Sequence, residues 1–330
     1  MNTVRWGILA PGRIAHKFAT GLAGLPDAKL VAVGSRSLDR AQEFATQYGA
    51  ERAHGSYEDL ARDPDVDAIY VATPHNYHRD AVILCAENGK AVLCEKPFAV
   101  NAGETQLMID AARTNDVFLM EAMWTRFLPA WQQIKRWIDA GEIGEVRLIN
   151  STFAFRSEWN PEGRLLNPAL AGGGLLDVGV YVTSAAYWVT GAEPVDVVSQ
   201  AHIGETGVDE QAAFVFRYGN GALAMLGCGV RTNARHVFTI YGTEGWIEVP
   251  HMFWNTERAI LHRGDEEIEF AEPHIANGYE YQAREVGECL RSGRRESSIL
   301  PLDETLRVMR TLDTIRSQWG LVYPFERKQS

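Results

Sequence analysis

The run Val4-Arg5-Trp6-Gly7-Ile8-Leu9-Ala10-Pro11-Gly12-Arg13-Ile14-Ala15 decides the fold. It opens with an apolar stretch over 4–10, too short and too apolar for a surface helix. A parallel strand buried on both faces reads this way. A helical pattern over 14–25 follows after one turn. Dinucleotide-binding folds carry G-x-G-x-x-G/A at such a strand-to-helix turn. Here the letters are Ala10-x-Gly12-x-x-Ala15. Gly12 lets the backbone approach a pyrophosphate, and Ala15 lets the helix pack close to the sheet. The helix start, with Arg13 and Ile14, offers free N–H groups and positive potential to phosphates. Ala10 replaces the first glycine, so the turn is expected to manage with φ below zero. Pro11 has no N–H to donate.

Outward from this turn the rhythm repeats. Apolar runs over 30–34, 68–72, 91–95 and 118–122 alternate with helical patterns over 37–48, 57–61, 76–88 and 102–115. Asn88-Gly89 supplies a helix stop. The alternation predicts an α/β, doubly wound parallel sheet of Rossmann type over 1–122. Beyond it lie a helix over 129–140, a strand-like run over 146–155 and the turn Gly172-Gly173-Gly174, which opens another helix. Strand patterns then cover 195–202, 211–218, 222–229, 237–242, 246–249 and 259–262, and helices over 279–291 and 302–319 close the chain. This second rhythm predicts an α+β domain over 123–330 with a mostly antiparallel sheet.

The 330 residues suit two domains. A net charge of −11 disfavours a nucleic-acid partner. Cys85, Cys94, Cys228 and Cys289 lack metal-ligand or CxxC spacing and read as buried thiols of a reducing compartment. No apolar run approaches a membrane span, and the N-terminus lacks the pattern of a signal peptide. The expectation is a cytoplasmic protein without membrane contact.

Where NAD-preferring sites place an acid about 20 residues past the loop, this chain reads Gly34-Ser35-Arg36-Ser37. Arg36 can pair with a 2′-phosphate, Ser35 and Ser37 can donate to it, and Arg40 adds charge one helical turn on. NADP is therefore expected, with NAD possible.

Three further segments carry chemistry. Cys94-Glu95-Lys96-Pro97 ends a buried strand, where ligands of doubly wound sheets sit. Asp177 and Tyr181 are four apart, on one helical face, with Gly179 between them leaving room for a ligand. Thr73-Pro74-His75-Asn76-Tyr77-His78 carries two histidines three apart, without the further ligands that a metal requires, so no metal is expected.

These stretches make the whole chain resemble the Gfo/Idh/MocA family of sugar and inositol oxidoreductases, of which Glu95-Lys96-Pro97 is the hallmark. The subgroup of dimeric dihydrodiol dehydrogenases and NADP-dependent D-xylose 1-dehydrogenases is closer. Segments 56–61, 89–97, 118–127 and 205–209 match it, and it has Tyr where much of the family has His, as at Tyr181. The resemblance implies a homodimer through the open C-terminal sheet, and Lys96 and Tyr181 as the catalytic pair. Oxidising an alcohol needs a proton acceptor. Tyrosine, with an ordinary pKa near 10, is a poor one unless an ammonium favours its phenolate. Asp177 would orient Lys96 or bond a second hydroxyl. Trp124, Phe153 and Tyr279 would wall a sugar ring. Thr73, Pro74, His75, His78, Glu95, Pro97, Trp124 and Arg126 are further candidates near the cofactor, and Arg164 near the substrate. The expected substrate is a cyclic sugar or diol, D-xylose or a related aldopyranose first, a trans-dihydrodiol or a keto-sugar next. A redox-neutral glycoside-cleaving enzyme and a nucleotide-sensing regulator are the rival readings.

Overall fold

The computed structural model describes residues 3–326, which gather into two compact units. The first runs to Phe127 and includes His274–Leu306; the second holds Leu128–Pro273 and the chain from Arg307 onward.

In the first unit β1 (Val4–Leu9), α1 (Arg13–Leu22), β2 (Ala28–Gly34), α2 (Leu38–Tyr48), β3 (Arg52–His54), α3 (Tyr57–Arg62), β4 (Ala68–Val71), α4 (His78–Glu87), β5 (Ala91–Cys94), α5 (Ala102–Thr114) and β6 (Leu119–Glu121) follow in turn. The six strands are parallel in the order β3-β2-β1-β4-β5-β6. The winding reverses between β1 and β4, and ligands of such sheets bind at the carboxyl ends of the strands at that point. Local chemistry sets the helix starts: Ser37, Ser56 and Asn101 accept hydrogen bonds from backbone N–H groups of α2, α3 and α5. Gly89, at φ 72°, ends the α4 segment in the left-handed region. Trp6, Phe18 and Tyr70 pack face and edge on the sheet, Phe18 stacking on Tyr70 at 3.9 Å. The sequence reading missed β3 because its three residues contain no apolar run.

In the second unit come α6 (Pro129–Asp139), β7 (Val146–Ala154), α7 (Val180–Thr190), β8 (Asp196–Ile203), β9 (Asp209–Arg217), β10 (Leu223–Gly229), β11 (Phe238–Gly242), β12 (Trp246–Val249), β13 (Arg258–Arg263) and β14 (Glu266–Ala271). They form an eight-stranded sheet, β14-β13-β12-β11-β7-β10-β9-β8, antiparallel except between β7 and β10. β9 alternates buried Ala212, Phe214 and Phe216 with exposed Gln211, Val215 and Arg217, the period-two pattern of a half-buried strand. β14 escaped the sequence reading because Glu266, Glu267 and Glu269 make it an acidic edge strand, exposed along almost its whole length.

Two expectations change. Residues 168–190 are long and apolar enough to span a membrane by length and composition alone, yet 89% of the most apolar 18 of them are buried in the fold, where α7 packs on β7 and β10. The chain also returns to the first unit after the sheet. There α8 (Glu280–Arg291) packs on α1 and β2, burying Tyr281, Ala283, Val286 and Cys289, and α9 (Leu302–Gln318) starts in the first unit and ends in the second. The expected single division at residue 122 lacked this return.

Candidate active site

The turn after β1 is built differently from its expectation. Ala10 has φ 70°, in the left-handed region that glycine occupies freely. The alanine therefore keeps the backbone shape of the missing glycine, at a cost of about 1–3 kcal/mol. Its N–H donates to Gly34 O at 2.9 Å, and Gly12 N–H donates back to Ala10 O at 2.8 Å across Pro11. Gly12 is extended at φ −92°, and a Cβ there would meet only Ala10 O, at 4.0 Å. Neither conformation nor crowding by its own chain demands glycine at this position, whereas close approach of a ligand does. α1 begins at Arg13 with no capping side chain and no acid in its first turn. An anion suits that start, so these residues fit a dinucleotide pyrophosphate.

At the end of β2, Ser35 is buried and its Oγ accepts Ser37 N–H at 3.2 Å. Arg36 is exposed, with its charge beside the half-buried Tyr57 hydroxyl at the start of α3. Arg40 is exposed one turn into α2, its backbone N–H bound to Ser37. Two arginines and two hydroxyls thus gather where an acid would mark NAD. Tyr57, a positioning partner for Arg36, was not among the sequence candidates.

Between β4 and β5 the structure separates exposed from structural groups. His78 is fully buried, with Nε2 at 2.8 Å from Thr73 O and Nδ1 at 2.9 Å from Pro97 O and 3.3 Å from Phe98 O. Burial pushes its pKa down against the pull of these carbonyls, and the ring bridges the loop after β4 and the loop after β5. This corrects its reading as a cofactor contact. His75 is buried one turn earlier and Pro74 is exposed. The rings of His75 and His78 stand 5.9 Å apart, and among the described residues no three His, Cys, Asp or Glu side chains gather as metal ligands. Glu95 is buried, accepting the Tyr70 hydroxyl on Oε1 and Lys96 N–H on Oε2 at 3.1 Å. Its carboxylate holds the backbone that carries Lys96, whose peptide to Pro97 is cis.

Trp124 and Arg126 share a single helical turn after β6. Trp124 stacks on Tyr279 with ring centroids 4.3 Å apart, so two of the three expected wall residues meet. Arg126 is turned inward, buried and ion-paired with Glu304, in the field of Glu121. This replaces its expected role at the cofactor with a structural one.

In the second unit a π turn, Leu175–Gly179, precedes α7, and it carries Asp177 while α7 carries Tyr181. Such turns concentrate at functional sites. Asp177 Oδ1 pairs with Arg164 Nη1 at 2.8 Å. Tyr181 is buried to 6% exposure and its ring lies 5.4 Å from Phe153. Phe153 in turn stacks on Trp254 at 3.7 Å and lies 5.1 Å from His236. The third wall residue thus belongs to an aromatic cluster of the second unit. Trp254 and His236 lie outside the apolar-run patterns, and no signal along the chain marks them. Gly179 also reads differently: a Cβ there would meet Leu175 and the Cys228 Sγ at 3.0 and 3.1 Å. Its role is to let the helix lie against β10, not to leave room for a ligand.

A family model described as an oxidoreductase family with an NAD-binding Rossmann fold matches residues 4–123, and one described as the GFO/IDH/MocA C-terminal domain matches 131–248. The chain is 37% identical to the trans-1,2-dihydrobenzene-1,2-diol dehydrogenase of Mus musculus over 98% of its own length and 99% of the relative's. Its fold matches an aldose-aldose oxidoreductase from Caulobacter crescentus, complexed with glycerol, with a TM-score of 0.88 at 26% identity, covering 99% and 98% of the two chains. It also matches a 3-ketoreductase from Actinomadura kijaniata, in complex with NADP and TDP-benzene, with a TM-score of 0.85 at 25% identity, covering 96% and 98%.

Proposed function

This chain belongs to the Gfo/Idh/MocA oxidoreductase family, and on that footing we propose that it oxidises a ring hydroxyl of a cyclic sugar or diol with NADP. The observation that carries this reading is the aromatic shelf beside Tyr181. Phe153 lies beside the phenol and Trp254 stacks on Phe153, leaving the partly exposed Trp254 to extend the apolar surface, which suits the CH faces of a six-membered ring. An aldopyranose at C1, D-xylose first, and a trans-dihydrodiol both have such a ring. The names of the relatives and neighbours, a dihydrodiol dehydrogenase and an aldose oxidoreductase, support the same class.

Tyr181 is the proposed proton acceptor for the substrate hydroxyl, and Lys96 the ammonium that favours its phenolate and holds the substrate oxygen. Asp177, set by Arg164, bonds a neighbouring hydroxyl. The cofactor supplies the hydride-accepting chemistry. Its phosphates would be held by the α1 start and Gly12, and its 2′-phosphate by Ser35, Arg36, Ser37 and Arg40. Phe153 and Trp254 exclude water from the phenol.

The test is a screen of aldoses, polyols, inositols and dihydrodiols with NADP⁺, following reduced cofactor, in wild type and Tyr181→Phe. Removal of the hydroxyl should lower kcat about 10²–10⁴-fold with cofactor affinity unchanged. Lys96→Met should also impair turnover, and the double variant should be scarcely worse than the worse single one. Normal turnover in Tyr181→Phe, or no reduced cofactor with any ring hydroxyl, would sink the reading.

The same reading includes a homodimer through the outer face of the second unit's sheet. Val198, Val215 and Met225 stand side by side across β8, β9 and β10, with exposed Leu223 and Tyr241 nearby, making a wide apolar face. A monomer mass by light scattering would refute it. The four buried free thiols suit a cytoplasmic setting, which cell fractionation would check.

A further inference from the structure

We propose that Asp209 is a positioning residue for this reaction: its carboxylate, on the first residue of β9, caps the segment that bears Asp177 and Tyr181 and fixes where the Tyr181 hydroxyl stands. The proposal rests on the reading of Tyr181 as the proton acceptor.

The helical segment has no cap of its own, because Gly174 precedes it and brings no side chain. Its first N–H, that of Leu175, donates instead to Asp209 Oδ2 at 2.6 Å. The glycine run admits this carboxylate. Gly173 has φ 123°, and a Cβ there would lie 2.1 Å from Asp209 Oδ1. On its other side the turn is held by the Tyr323 hydroxyl, which donates to Gly172 O at 2.9 Å. The anchor matters because a π turn follows it. The wider turn can be placed earlier or later along the helix, and each one-residue step turns the residue it passes by about 100°, so a slip through Tyr181 redirects its side chain. A fixed partner for Leu175 N–H selects one placement and so one direction for Tyr181.

Asp209 is fully buried, which is costly for a charge unless N–H groups meet it. The groups facing it are Leu175 and Gly174 N–H, Arg316 on α9, Tyr323 beyond it, and the Cys228 thiol on β10. Arg316 is itself engaged by Glu326 at 2.6 and 2.8 Å. Burial pushes the Asp209 carboxyl up to about 7, against the pull of the backbone N–H groups. The cap therefore changes charge near neutrality, and an ionised carboxylate holds a helix start more firmly than a neutral acid.

The experiment compares wild type, Asp209→Asn, Tyr181→Phe and the double variant, measuring kcat, KM and NADP⁺ affinity on both sides of pH 7. In wild type kcat should fall as pH drops through about 7. Asp209→Asn imitates the neutral acid. It should lack that limb and sit about tenfold below wild type on the alkaline side, with cofactor affinity unchanged; general misfolding would reduce cofactor binding too. In the Tyr181→Phe background it should cost nothing further. Wild-type kcat for Asp209→Asn at both pH extremes, or a loss that multiplies with that of Tyr181→Phe, overturns the proposal. Should the Asn variant not fold, Tyr323→Phe loosens the same turn by one hydroxyl, and wild-type kcat there overturns it equally. If Tyr181→Phe keeps full turnover, the functional reading and this inference fall together. If it is inactive while Asp209→Asn is fully active, only the inference falls.

Discussion

Arg164 Nη1 stands 2.8 Å from Asp177 Oδ1, so an arginine from the loop before the π turn sets the carboxylate that was expected to orient Lys96 or to bond a second hydroxyl. The Asp177 side chain is 9% exposed and that of Arg164 37%, so removing the more exposed arginine deprives a buried carboxylate of this ion pair. Arg164→Leu should lower kcat about tenfold, equivalent to about 1.4 kcal/mol, with NADP⁺ affinity unchanged. Arg164→Lys should restore part of it, as a point charge without the planar fork. Steady-state kinetics that match wild type in the Leu variant would remove Arg164 from the mechanism.

Arg36 should govern cofactor choice. It is exposed, held beside Tyr57, and flanked by two serines where an acid would bind a free ribose hydroxyl. Arg36→Asp should raise KM for NADP⁺ by about tenfold or more, roughly the value of one charge-assisted hydrogen bond, and change KM for NAD⁺ far less. A wild-type enzyme that prefers NAD⁺ would contradict the assignment.

Ala10 offers a test of stability. Its φ of 70° is one that glycine adopts without strain and a β-branched residue hardly at all. Ala10→Gly should unfold no earlier than wild type, because relief of strain offsets the added freedom of the unfolded chain. Ala10→Val should cost about 1–3 kcal/mol. Thermal unfolding of the three proteins decides it, and a Val variant as stable as wild type would mean that the turn is not held as described.

Glu121 at the end of β6 is buried, accepts the Thr305 hydroxyl at 3.2 Å, and has its carboxyl pushed up to about 7 by burial. Its folded value lies above the unfolded one of about 4.3. The native state therefore keeps a proton that the unfolded state releases. Its contribution is complete below about pH 4 and is lost as pH rises through about 7, up to about 4 kcal/mol in all. Glu121→Gln keeps the shape and the acceptor oxygen but cannot ionise. Its melting temperature should fall less than that of wild type between mildly acidic and mildly alkaline buffer. Parallel pH dependence of the two proteins would show that Glu121 does not titrate in this way.

Elements whose physics is local or periodic were legible in the residues alone. Short, largely apolar runs read as the buried strands β1, β2, β4 and β5. Alternation marked β9, the Asn88-Gly89 stop marked the end of α4, and the position of Ala10-x-Gly12-x-x-Ala15 after the first strand marked the phosphate-binding turn. Composition also placed Ser35, Arg36 and Ser37, because a missing acid at a fixed distance is visible without coordinates. Only the tertiary structure decided what depends on residues far apart in the chain meeting. It turned His78 and Arg126 inward, His78 to backbone carbonyls and Arg126 to Glu304. It filled the space at Gly179 with Leu175 and Cys228, and it brought Trp254 onto Phe153, Arg164 onto Asp177 and Asp209 onto Leu175. The left-handed turn at Ala10 also needed coordinates, since an alanine tolerates φ above zero only where surrounding bonds, here Gly34 O and Gly12 N–H, hold it there. Strand and helix patterns are carried by neighbours along the chain, whereas a side chain's partner is chosen by packing, and packing has no period to read.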